Sequence, residues 1–143
     1  MPSSQPSRPS AWVLPAFALP VAVLGAAALW LGLRLVLRGP GVGWCVWVAP
    51  LIALDVAFML RLAAAPAGRL RAGLAVLGTA AAIAFGYWTV VAAEMAALIG
   101  LTIPESIQRL GPSLFWTLVE RGTSAWEMAL VVTALPLAWW LAR

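Results

Sequence analysis

The sequence predicts an all-α integral membrane protein, a four-helix bundle with a short interfacial amphipathic segment between helices 3 and 4. Composition is the first reason. The chain of 143 residues is 64% hydrophobic and only 10% charged, whereas a soluble domain carries about 25% charged residues. It lacks the polar side chains to cover a water-facing surface, so lipid must be most of its solvent. The second reason is the length and evenness of its apolar runs. Lipid admits only helices and closed β-barrels, and barrel strands alternate polarity over about 10 residues. Ala18 to Leu33 is apolar on every face instead. The third is punctuation: glycine–proline breaks and arginines recur between the runs.

Residues 1–10 (MPSSQPSRPS) read as a disordered tail, and 11–143 as a single transmembrane domain. Ala26-Ala27-Ala28 offers a cleavage-like site. The apolar run continues past it, so an uncleaved first helix is expected. That first span runs from about 12 to 37. Pro15 and Pro20 fall in its first turns, Gly25 and Ala26 to Ala28 form a small-residue face, and Trp30 marks the far interface. Arg34 and Arg38, four apart, share one face of its end. Gly39-Pro40-Gly41 breaks the chain.

The second span is about 42–60, with Trp44 and Trp47 as an aromatic belt, a kink at Pro50 and Asp55 near its end. Ala64-Ala65-Pro66-Ala67-Gly68 makes the next break, and Arg61, Arg69 and Arg71 make it a compact basic loop. The third span, about 72–101, would measure roughly 45 Å. That exceeds a hydrocarbon core of about 30 Å, so it must tilt or emerge. Thr102-Ile103-Pro104-Glu105 is a capping box with proline in the first turn. It opens the interfacial segment, about 103–121, whose Leu114, Phe115, Leu118 and Val119 are expected to face the acyl region. Ser124-Ala125-Trp126-Glu127 is a second capping box, opening the last span at about 124–141.

Several functional classes lose support. Net charge is +4, all positive charge being arginine, but the nine arginines lie scattered between apolar runs. Membrane topology explains them better than nucleic-acid binding. Histidine is absent and Cys45 is the lone cysteine, so catalytic triads and zinc sites of the usual kind have no ligands or bases. Asp55, Glu94 and Glu127 fall on three different helices, which leaves no paired carboxylates for metal or hydrolysis. No cofactor, metal or catalytic residue is therefore assigned. The lack of lysine and asparagine, with abundant alanine, leucine, arginine, glycine and proline, reads as a GC-rich bacterial coding bias and points to a bacterial inner membrane.

What remains is charge in or near the bilayer, which is costly there and a functional hypothesis by default. An antiparallel four-span topology places Arg34, Glu94 and Glu127 at similar depth on three helices. Arg34 is expected to pair with Glu94 or Glu127, and this trio is the candidate polar cluster. Against it, 22 uncharged residues separate Glu94 from Arg71, enough to carry Glu94 to the far interface. Asp55 has a bland role facing Arg61, and Glu127 one as the capping partner of Ser124. Tyr87, seven residues before Glu94, could line a polar path with Thr79 and Thr89. Arg109 could converge with Arg34 and Glu94 near the headgroups.

The expected role is that of a non-enzymatic accessory or interaction subunit. Its partners are the lipid bilayer and either another membrane protein or copies of itself. A small proton-coupled carrier or channel-like oligomer using Glu94 and Asp55 is the alternative, and a lipid-modifying enzyme the third. Both termini are expected in the cytoplasm.

Overall fold

The computed structural model describes residues 12–37 and 43–143. The tail at 1–10, Arg38 and the Gly39-Pro40-Gly41 break lie outside the described residues. Among those described, the chain is all-helical, with six α-helices and no strand. These are α1 (Val13–Val36), α2 (Ala49–Leu62), α3 (Arg69–Ile99), α4 (Ile103–Arg109), α5 (Pro112–Gly122) and α6 (Ala125–Ala142). Three of them, α1, α3 and α6, are long and apolar enough to cross a membrane, and they mark a membrane protein. At 14 residues, α2 is shorter.

The longest helix organises the rest. No proline interrupts Arg69 to Ile99, so α3 runs for 31 residues, roughly 46 Å. Gly100 ends it in the left-handed conformation (φ 69°), with the Leu101 N–H closing on the Ala96 carbonyl at 3.1 Å. α3 packs on α1, α2 and α6, and α2 packs on α1 and α6. Alanines at the contacts, among them Ala26, Ala53, Ala75, Ala82 and Ala134, are buried and let the backbones approach closely. Side-chain contacts fix the directions. The end of α1 meets the end of α3 through Arg34 and Glu94, and the end of α2 meets the end of α6 through Arg61 and Leu141. So α1 runs parallel to α3, and α2 parallel to α6.

Several elements differ from expectation. Pro20 lies inside α1 without ending it. Membrane helices tolerate such a proline where local adjustment or neighbouring groups re-satisfy the freed carbonyl. Pro50 stands in the first turn of α2, where its missing N–H is an orphan in any case. It starts that helix, after a 3-10 turn at Val46–Val48, and does not kink it. Asp55 consequently sits mid-helix. Gly25 and Ala28 face outward, and the buried stripe of α1 is Ala22, Ala26, Ala27 and Trp30.

The segment after α3 is two helices, both packed on α3. Val119 is buried and Phe115 stacks on Trp88 at 4.9 Å between centroids. Leu118 is half-buried against the core. Three of the four residues expected to face lipid thus cover α3, while Leu114 and Trp116 are exposed. Phe115 and Val119 lie beside the middle of α3, at Ile83, Tyr87 and Trp88, and Leu118 beside Val91 and Met95.

Candidate functional site

The stripe Ala22, Ala26, Trp30, Arg34 recurs every four residues, which keeps it on one face of α1. It ends in the candidate polar cluster. Arg34 Nη2 donates to Glu94 Oε1 at 2.9 Å, with the side chains 14% and 35% exposed. Arg34 Nε and Nη1 are buried without a hydrogen-bond partner among the described residues. A guanidinium with only part of its fork satisfied is costly to bury, so the pair fixes geometry more than it adds stability. It borders a cleft of about 230 Å³ whose walls include Trp44, Val91, Met95 and Leu118.

Glu127, the third member, does not share the ion pair. Its Oε2 accepts from the Ser124 N–H at 2.8 Å and the Ser124 hydroxyl at 3.0 Å, while its own N–H donates to Ser124 Oγ at 3.3 Å. That is the capping role read from the sequence. Glu127 still lies beside the cluster's neighbours: a Cβ on Gly43 would stand 2.7 Å from Glu127 Oε1.

Aromatic rings form the floor. Trp30 is fully buried among the helices. Its indole N–H donates to the Trp44 carbonyl at 2.7 Å, and its ring meets Tyr87 edge-on at 5.1 Å. Gly86 and Gly122 make room for the two tryptophans. A Cβ on Gly86 would lie 2.5 Å from the Trp30 ring, and one on Gly122 would lie 2.5 Å from the Trp44 ring. The four-residue stripe was the available signal for a buried Trp30. Nothing in the sequence joined it to Trp44, because that contact crosses the break between α1 and α2.

The other candidates are dispersed. Tyr87 is buried and its hydroxyl meets Thr123 Oγ1 at 3.4 Å. Thr89 bonds the Gly86 carbonyl of its own helix at 2.9 Å. Thr79 is fully buried, with its hydroxyl unpartnered among the described residues. These groups make no continuous polar path. Arg109 is exposed and lines a different cleft with Ser106 and Ile99, so it does not converge on Arg34 and Glu94. Asp55 does not face Arg61. It lines a groove between α1 and α2, whereas Arg61 donates to the Leu141 carbonyl at the end of α6. Arg71 joins it there, Nε to the Ala142 carbonyl at 2.7 Å and Nη2 to the Arg143 carbonyl at 2.8 Å, with Nη1 on the Ala65 carbonyl at 3.1 Å. Two arginines thus satisfy the orphan carbonyls and negative dipole end of α6.

Fold and site together define a class: a small all-helical membrane protein with an ion pair held between two of its helices. No family model, curated protein or solved structure matches the chain.

Proposed function

We propose that the chain is a four-span protein of a bacterial inner membrane that acts as a non-enzymatic accessory subunit, packing against another membrane protein or lipid. The distribution of its apolar surface carries this reading. In the most apolar stretch of α3, 56% of residues are buried, against 22% in α1 and 17% in α6. One helix fills the interior, and two present long apolar faces, including Val21, Leu24, Leu29 and Val132, to whatever surrounds them.

The two ends of α2 support a fourth crossing. The chain leading into it lies beside Glu127, where a Cβ on Gly43 would stand 2.7 Å from Oε1, and its last turn reaches Leu141. Val46 to Leu62 therefore runs alongside α6 from one end to the other. At roughly 25 Å it is slightly short of the core, a mismatch that local thinning accommodates. α5, with Trp116 outward, then lies near the headgroups. Among the described residues, four spans place Arg61, Arg69, Arg71 and Arg143 on one side, against Arg34, Arg109 and Arg121. The compact basic loop between α2 and α3 favours cytoplasmic termini.

A carrier needs a titratable carboxylate on a polar path. The carboxylate of Glu94 is held by Arg34, and the nearby hydroxyls are directed elsewhere. A lipid-modifying enzyme needs convergent polar groups, and Arg109 stands apart. Native purification in mild detergent distinguishes the readings. A membrane protein retained in fixed stoichiometry is expected. Proton flux by the purified chain in vesicles, abolished by Glu94→Gln or Asp55→Asn, would replace the accessory reading with the carrier.

A further inference from the structure

A groove of about 330 Å³ lies between α1 and α2, with Val21, Gly25, Leu29, Ile52, Asp55 and Met59 in its walls. From it we propose that this face receives a transmembrane helix of another membrane protein, one that carries a lysine or arginine at mid-depth. The inference deepens the accessory reading and rests on it.

Depth is the first observation. Asp55 stands near the middle of the stretch from Val46 to Leu62, and Gly25 near the middle of α1. Either end of that stretch is roughly 10–14 Å from Asp55 along the helix. Charge is the second. Among the described residues no arginine lies within ion-pair distance of Asp55, and its carboxylate accepts no hydrogen bond. The described arginines all lie toward helix ends, and three of them are engaged: Arg34 by Glu94, and Arg61 and Arg71 by carbonyls. A carboxylate at that depth calls for a cation, because hydrocarbon offers none. Shape is the third. Gly25 has open space where a side chain would project, so a second helix can approach α1 closely.

These observations select among occupants. An acyl chain fills an apolar groove but brings no charge. A cationic headgroup stays at the interface, about two turns of helix too far away. A second copy docked on a two-fold axis would bring Asp55 against Asp55, like charge on like. A heterologous copy would need a mid-helix arginine that the described residues do not offer. A partner helix with a central cation satisfies the carboxylate and fills the groove.

The test uses the full chain in phosphatidylcholine vesicles with labelled synthetic leucine–alanine helices bearing a central lysine, leucine or glutamate, and reads association by energy transfer. The lysine helix should bind about tenfold more tightly than the leucine helix, the scale of an interhelical polar contact in model peptides, and the glutamate helix no better than leucine. Asp55→Asn should reduce the preference and Asp55→Leu abolish it, both with unchanged helicity. Gly25→Leu should weaken the lysine helix by obstructing the groove. Equal binding of lysine and leucine helices, or a preference that survives Asp55→Leu, overturns the proposal. Self-association through Asp55 that outcompetes the lysine helix does so too. If the proposal fails while Asp55→Leu still purifies with a stoichiometric subunit, the accessory reading stands. Asp55-dependent proton flux would remove both.

Discussion

Arg34 shows how a membrane protein holds a charge at the scale of single residues. One of its N–H groups reaches Glu94, while Nε and Nη1 are buried without partners among the described residues. Removing either member strands the other, whereas removing both relieves the burial cost. Arg34→Leu or Glu94→Leu should each lower stability in detergent by about 1–3 kcal/mol, toward the low end because Glu94 is partly open to solvent. The double substitution should be milder than either, which a double-mutant cycle by denaturant titration reads directly. Additive losses would show that the pair does not couple. Gly86 gives a second residue-scale expectation. A methyl group there would lie 2.5 Å from the ring of the fully buried Trp30, so Gly86→Ala should destabilise by about 1–3 kcal/mol. A shift of tryptophan fluorescence should accompany it.

At the scale of elements, termini matter more than helix interiors. The Thr102 N–H, at 3.0 Å, and hydroxyl, at 2.8 Å, both donate to Glu105 Oε2. These bonds, the N–H first, hold the Glu105 carboxyl below the usual range. A lowered folded value means the cap is fully effective above the unfolded carboxyl pKa and is lost as pH falls through the folded one. Amide exchange in α4 should therefore accelerate on acidification below the usual carboxyl range, and Glu105→Gln should flatten that response. The end of α6 depends on Arg71, whose three carbonyl contacts tie it to the turn before α3. Arg71→Leu should raise exchange in the last turn of α6 and cost about 1–2 kcal/mol. Arg61→Leu should cost less, since it makes one such contact. The capping boxes were legible because their signal is local: a hydroxyl and a carboxylate three residues apart. The arginine caps were not, because Arg71 and Ala142 are brought together only by packing of α3 on α6.

For the molecule as a whole, orientation is the open quantity that the fold makes testable. The turn between α2 and α3 meets the end of α6 through Arg61 and Arg71, so the two share one end of the molecule. A reporter active only in the periplasm, fused after Arg143, should stay silent if that end is cytoplasmic. A reporter inserted in the loop between α4 and α5 should be active, because the Arg34–Glu94 end lies opposite. Reversed activities would invert the molecule without altering its packing.

The sequence by itself determined what depends on composition and near neighbours. Too little charge for a water-facing surface dictated lipid as solvent and helix as the answer. Thr102 with Glu105 marked the start of the segment after α3, and Ser124 with Glu127 marked the start of α6. Depth and charge alone set Arg34 against Glu94 or Glu127, and packing chose Glu94. Tertiary structure decided the rest, because it turned on which faces met. Trp30 went to the core because Gly86 opened a space across from it, and Phe115, Leu118 and Val119 turned from lipid to the side of α3. Asp55 was left facing a groove because Pro50 began α2 instead of bending it, and because Arg61 was drawn to the carbonyl end of α6. A hydrophobic run records that a helix must be buried in something. Only the packed molecule settles how much of that something is protein.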